Sequence, residues 1–267
     1  RGNPTSMATI GEASGQDSAL WTPLGPRITV DAAIAALEAF DLGRRKKATD
    51  LLAVSFSAHD IVGHLHGHDS RESEEMLVAT DRALARLLET IHSRVPGGLD
   101  RVLIALTSDH GAPPTVATLK AAGIPTGVIG GAAMIKRLEA GLTRRFGAPK
   151  GGKWFDYVTK LQFYLSPAAI AASKVNTATI ERALRDALLA HAQIEVAFTR
   201  SEFLAGRRPS GRWRSLVEHG YRPDRGGNVV AIARAYQLAP GDASTHFTGY
   251  SYDRTVPLVL AGKGIRA

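Results

Sequence analysis

The sequence predicts an α/β fold in which helices flank a mostly parallel central sheet. Three observations carry that reading. Two continuous apolar runs, residues 50–57 and 101–107, bracket one long amphipathic stretch at 72–91. Both runs end in polar residues, Ser57-Ala-His-Asp60 after the first and Ser108-Asp109-His110 after the second. Further on, residues 228–235 and 256–261 are again apolar and β-branched. A strand buried on both faces reads as an uninterrupted apolar run, and a strand–helix–strand unit of this length builds a parallel sheet.

Each element follows from its local pattern. Residues 1–29 read as an irregular lead-in, punctuated by Trp21-Thr22-Pro23 and Gly25-Pro26. Residues 31–42 are Ala/Leu-rich with helical spacing, and Gly43 supplies a stop. After the first strand, the 72–91 helix turns Met76, Leu77, Ala83, Leu84, Leu87, Leu88 and Ile91 inward. The second strand has Val-Leu-Ile-Ala-Leu at its centre. Beyond Gly111 the spacing predicts a helix at 132–146, a short strand at 160–165, a helix at 177–191 and a strand at 194–199. Residues 206–227, rich in Gly, Arg and Pro, read as loop. The chain therefore divides into a lead-in at 1–29, an α/β core from 30–112 and 226–267, and an inserted α+β, cap-like lobe at 113–225.

Composition excludes several classes. With 44% hydrophobic and 22% charged residues, the 267-residue chain is ordinary for a soluble globular protein. No run approaches the roughly 18 apolar residues of a membrane helix, and the absence of cysteine excludes disulfides, thiolate ligands and Cys nucleophiles. The net charge of +8 comes from 33 Lys+Arg against 25 Asp+Glu. Its arginine clusters lie beside Gly or Pro, with no basic–aromatic alternation, which reads as a solvated surface and not as a nucleic-acid site. The first methionine is Met7, so the sequence is expected to be a processed product or a piece of a longer protein. Residues 1–20 have no apolar core of the kind a signal peptide needs.

Three short stretches hold candidate metal ligands. Asp60-Ile-Val-Gly-His64 spaces a carboxylate and an imidazole four residues apart, on one face of a helical turn. Asp109 and His110 are adjacent at a strand end, and His246 lies in the polar stretch Ser244-Thr245-His246. Carboxylate and imidazole are the ligand types of zinc and similar divalent ions. Five ligands exceed the three of a usual catalytic zinc site, so a two-metal centre is the natural reading; the spacing alone also admits a helix-surface pair and a turn. His59, His66 and His68 read as facing away from the site or into solvent, and His92, His191 and His219 as surface or loop residues.

These residues resemble a known family. The stretch Thr49-Asp-Leu-Leu-Ala-Val-Ser-Phe-Ser-Ala-His-Asp-Ile-Val-Gly-His64 resembles the metal-binding segment of the alkaline phosphatase superfamily. The nearest branch is that of the phosphate-irrepressible periplasmic alkaline phosphatases, relatives of the type I phosphodiesterase/nucleotide pyrophosphatases. Leu106-Thr-Ser-Asp-His-Gly-Ala112 is similar to the family's Thr-Ala-Asp-His-Gly signature, and Thr245-His246 with Tyr250-Ser-Tyr-Asp253 and Val256-Pro-Leu258 to a later one. Gly220-Tyr-Arg-Pro-Asp-Arg-Gly-Gly-Asn228 resembles a loop usually ending Arg-Ser-Gly-Asp, so Gly226 replaces a Ser and Asn228 an Asp. Phe247 replaces the glycine that follows the last metal histidine.

The resemblance implies an alkaline-phosphatase-like fold whose N-terminal part is missing from this chain. It implies that Asp60, His64 and His246 hold one Zn2+ while Asp109 and His110 help hold a second, with Mn2+ as another candidate ion. It further implies hydrolysis of phosphate-ester small molecules, monoesters and possible diesters, by a Thr or Ser nucleophile upstream of Arg1, and a periplasmic or secreted location. This chain alone is then expected to be inactive. The alternatives are a sulfatase or phosphonate hydrolase of the same superfamily, or a non-catalytic fragment that binds a metal or an anion. The sequence leaves the oligomeric state open.

Overall fold

The computed structural model describes residues 21–149 and 151–266, so most of the expected lead-in lies outside the described residues. Two units share the chain. The first takes Arg1–Thr115, Asp242–Thr245 and Thr255–Ala267, and the second takes Val116–Gly241 and His246–Arg254.

The first unit begins with helices α1 (Leu24–Ala39), α2 (Ala58–His66) and α3 (Arg71–Arg94), followed by strand β1 (Leu103–Thr107). Helix α1 starts seven residues earlier than its apolar spacing indicates. Pro23 at its N-cap and Pro26 in its first turn are compatible with this, because the first-turn N–H groups have no intrahelical partner. The side chain of Ser70 accepts a hydrogen bond from Ser73 N–H at 3.1 Å and so caps α3. Val30, Ala33, Ala83 and Leu87 form the buried seam of α1 with α3, and the partly buried Val54 and Phe56 pack against it. A second seam of Ala58, Val62 and Met76 fastens α2 to α3, with Val62 and Met76 fully buried. Burying a side chain such as Met76 contributes about 1.5–3 kcal/mol.

The second unit contributes α4 (Val116–Ala121), β2 (Gly127–Val128), α5 (Gly131–Phe146), β3 (Phe155–Thr159), β4 (Gln162–Leu165) and α6 (Pro167–Ser173). It continues with α7 (Thr177–Leu189), β5 (Ile194–Thr199), α8 (Arg200–Leu204), α9 (Trp213–Gly220), β6 (Val229–Ala233), β7 (Gln237–Leu238) and α10 (Ser251–Arg254). The chain then returns to the first unit in β8 (Leu258–Gly262).

The main sheet of the second unit runs in the order β3-β4-β6-β5, every pair antiparallel. Its core joins α5 and α7 to the sheet through Met134, Leu138, Ile180, Leu184, Phe163 and Val229. Strand β6 alternates buried and half-buried residues along its length, as a strand with one face on a core should. The Glu139 carboxylate on α5 accepts from the backbone N–H groups of Trp154 and Phe155, which fixes the entry to β3. Thr199 and Glu202 form a reciprocal capping box between β5 and α8.

Strand pairing departs from the sequence-based expectation. Residues 51–57 are extended in their alternating exposure but join no ladder among the described residues, and Leu51 is 87% exposed. An apolar run supplies a strand's side chains without supplying its partner. Strand β1 is present but pairs antiparallel with β8, from Leu103↔Gly262 to Thr107↔Leu258. Most residues of both strands are exposed, not buried as expected. The short pair β2–β7 holds the parallel pairing seen among the described residues. The stretch read as loop at 206–227 contains α9, whose Trp213 and Val217 are buried one helical turn apart.

Candidate metal centre

Helix α2 turns the Asp-x-x-x-His spacing into geometry. Asp60 lies in its first turn and His64 in its last, and His64 Nε2 stands 3.5 Å from Asp60 Oδ1. The same carboxylate oxygen is 3.5 Å from Nε2 of His110, in the loop that follows β1. One oxygen thus faces two imidazole nitrogens from separate parts of the first unit. The side chains are one-fifth to two-fifths exposed, so the cluster is open to solvent yet supported.

Backbone carbonyls orient both rings. His64 Nδ1 lies 2.8 Å from the carbonyl of Ser244, and His110 Nδ1 lies 3.0 Å from that of Gly111. A carbonyl only accepts, so Nδ1 is the donor in each contact, and each ring is oriented with its Nε2 toward Asp60. Atoms bound to one tetrahedral zinc at 2.0–2.1 Å lie about 3.3 Å apart. The two 3.5 Å separations are close to that edge length. The donor set and its outer carbonyl partners therefore fit a divalent cation.

The supporting segment 242–245 is itself tied down. Ala243 N–H donates to the carbonyl of His64 at 2.8 Å, and the buried Ser244 hydroxyl donates to the carbonyl of Pro113 at 2.6 Å. Asp242 adds a carboxylate 3.8 Å from His64 Nδ1. On the other side, Ser108 Oγ donates to the His110 carbonyl at 2.7 Å and Thr107 Oγ1 to that of Pro257 at 2.9 Å. These supports were not legible in the sequence. Asp242 had a signal in its place four residues before His246, but a carbonyl is common to every residue and leaves none.

The predicted residues are not all treated alike. Asp60, His64 and His110 converge. Asp109 points outward with its side chain 87% exposed, its Oδ2 3.7 Å from His110 Nε2 and its Oδ1 accepting from His110 N–H. His246 opens the closing segment of the second unit, one peptide bond beyond Thr245, with its ring stacked on Phe247 at 3.7 Å between centroids. His59 lies within α2, in its first turn, and not on an extended chain. Burial holds its imidazole below the ordinary pKa, against the raising effect of Asp60. His68 is exposed as expected, whereas His66 is partly buried with its Nε2 enclosed. A side chain on Gly63 would press into the His68 ring, so the Val-Gly-His sequence is also a packing requirement.

Comparisons with known proteins show what this chain is similar to. The model of the type I phosphodiesterase/nucleotide pyrophosphatase family matches residues 16–129. The crystal structure of wild-type alkaline phosphatase PafA superposes with a TM-score of 0.85 at 27% identity, covering 94% of this chain and 47% of that one. In sequence and in fold the chain is similar to the alkaline phosphatase superfamily. Alkaline phosphatase PafA of Elizabethkingia meningoseptica is 28% identical over 247 residues, which is 92% of this chain and 44% of that protein. Alkaline phosphatase PhoK of Sphingomonas sp is 27% identical over 259 residues, with 92% and 44% covered. The chain thus spans less than half the length of the alkaline phosphatases it matches. The expected α/β fold class holds at this level, alongside the corrected strand pairing. Among the described residues, no helix is long and apolar enough to cross a membrane.

Proposed function

We propose that this chain is the metal-binding part of a divalent-metal-dependent hydrolase of phosphate esters, an alkaline-phosphatase-like phosphomonoesterase with possible diesterase activity. The observation that carries the reading is the convergence of His64 Nε2 and His110 Nε2 on Asp60 Oδ1, at 3.5 Å each. The superfamily relatives support the reaction class.

In this reading Asp60, His64 and His246 hold one ion, and Asp109 and His110 help hold a second. Divalent ions held there would lower the pKa of a bound hydroxyl or water and offset charge on phosphoryl oxygens. The chain's own contribution is to fix the ligands. The carbonyls of Ser244 and Gly111 orient the His64 and His110 rings, and the Asp60 carboxylate supplies negative charge between them. Zinc is the proposed ion, with Mn2+ compatible with the same donors. The nucleophile is proposed as a Thr or Ser outside this chain, so the chain alone turns over little or no substrate. The parent protein is proposed to be periplasmic or secreted, with residues 113–225 as a cap-like insertion in the core.

Metal analysis and nitrophenyl phosphate hydrolysis by the protein as produced from its gene test this reading. At least one bound divalent ion per chain is expected, with turnover abolished by His246→Ala. Less than one ion, or full activity in the variant, overturns it. The exposed Phe247 beside His246 favours a second reading, a non-catalytic metal- or anion-binding protein. Zinc binding without turnover of any ester identifies that case.

A further inference from the structure

Phe247 occupies a backbone conformation that suits glycine, with φ of +93°, and the residue is 54% exposed. A bulky residue holds such a conformation only when its surroundings compensate. The ring has two close neighbours within the second unit. The His246 imidazole stacks on the ring at 3.7 Å between centroids with a tilt of 35°, and the Lys160 ammonium lies 2.8 Å from the ring centroid.

Lys160 is held in place from its own side as well. It occupies, with Leu161, the two-residue turn between β3 and β4, and both have positive φ, +46° and +61°. Leu161 packs against the core of the second unit and its carbonyl accepts from Ala231 N–H at 3.0 Å. The lysine therefore projects from a rigid hairpin end and rests on an aromatic face, where a cation is favoured.

We propose that Lys160 is a substrate-contacting residue that selects phosphoryl groups carrying two negative charges, and that Phe247 is the positioning residue that holds both Lys160 and the His246 ring. The proposal rests on the hydrolase reading, in which His246 is a metal ligand. A phosphate monoester carries close to two charges above neutral pH, whereas a diester carries one. A compact ammonium beside a metal-ligating histidine adds a charge-assisted contact to the extra anionic oxygen of the monoester. Phe247 fills the volume beside His246 with a ring that contacts both the imidazole and the Lys160 ammonium.

The test uses the protein as produced from its gene, loaded with zinc, on p-nitrophenyl phosphate and bis-p-nitrophenyl phosphate, which share a leaving group. Lys160→Ala is expected to lower kcat/KM for the monoester about tenfold and for the diester about threefold or less. Lys160→Arg retains the charge and restores most of the monoester rate. Phe247→Gly, which suits the backbone, should shift the preference in the same direction as Lys160→Ala, while Phe247→Tyr preserves it. Equal losses on both esters, or no loss on either, overturn the proposal.

Titration with inorganic phosphate by calorimetry provides a readout independent of turnover, and Lys160→Ala should weaken binding about tenfold. Unchanged phosphate affinity overturns the role of Lys160 even where turnover falls. A wild-type protein that hydrolyses neither ester overturns the hydrolase reading, and the phosphate titration still decides Lys160.

Discussion

Asn228 donates from Nδ2 to Oε1 of Glu181 across 3.1 Å, and both side chains are buried. The other carboxylate oxygen of Glu181 accepts from Ser201 N–H at 3.0 Å, while Asn228 Oδ1 accepts from Leu165 N–H at 3.0 Å. Helix α7, the start of α8 and strands β4 and β6 thus meet at one polar node. An amide suits the position because it both donates and accepts, which an ionised aspartate cannot do. The presence of Asn where the family motif has Asp is therefore explained by the carboxylate buried next to it.

Asn228→Asp should place two carboxylates in buried contact and destabilise the protein by about 2–4 kcal/mol. Urea unfolding at pH 7 measures this. Glu181→Gln in the same chain restores a donor–acceptor pair, so the double variant should recover most of the loss. A double variant no more stable than Asn228→Asp alone contradicts the pairing.

The shared oxygen of Asp60 ranks the metal ligands. Asp60→Ala removes the group that faces both His64 and His110, so it should lower zinc affinity more than either histidine variant does. Each single loss is expected to cost at least about 100-fold, since even outer partners of metal ligands cost 10–100-fold. Competition with a chromophoric chelator reads these affinities directly. Zinc affinity unchanged in Asp60→Ala removes this residue from the ligand set.

What could be read from the sequence follows from where the chemistry resides. The Asp60–His64 pairing was legible because the helical period alone puts residues four apart on one face. His110 was legible as a polar residue ending an apolar strand. The carbonyls of Ser244 and Gly111 were not, since backbone groups carry no side-chain signature. Residues 51–57 misled because Val54 and Phe56 are apolar for packing on α1 and α3, without a neighbouring strand among the described residues. Strand β3 was missed because its turn uses Lys160 and Leu161 at positive φ, where Asn-Gly would mark a hairpin. Helix α9 was hidden by the Gly, Arg and Pro flanking its two anchors, Trp213 and Val217.

Met76 supports the centre from a distance. It is fully buried in the seam that fastens α2, the carrier of Asp60 and His64, to α3. Met76→Ala should cost about 2–5 kcal/mol of stability and leave α2 less well held. Met76→Leu conserves volume and should cost less than about 1.5 kcal/mol. Thermal unfolding with and without zinc checks both: the alanine variant should gain more from added metal, because binding then also restores the helix. An equal zinc-induced rise in Tm for all three proteins argues against a link between the seam and the centre.

Glu195 makes the second unit sensitive to acid. Burial alone would raise its pKa, but hydrogen bonds from Tyr250, Trp213 and Arg212 outweigh that and hold it below the ordinary carboxylate range. Burial and the carboxylate beside it push the Tyr250 hydroxyl up, so Tyr250 remains the donor across the working range. A group whose folded-state pKa is depressed contributes its stability above the unfolded value, and loses it as pH falls through the folded one. The contribution of Glu195 should therefore be complete at neutral pH, begin to fade near about pH 4.3 and shrink further below that. Glu195→Gln removes the charge at every pH. The stability difference between wild type and this variant, from urea unfolding between pH 7 and pH 3, should narrow as the pH drops, with other carboxylates cancelling in the difference. A gap that stays constant over that range shows that the Glu195 charge is not held by these three donors.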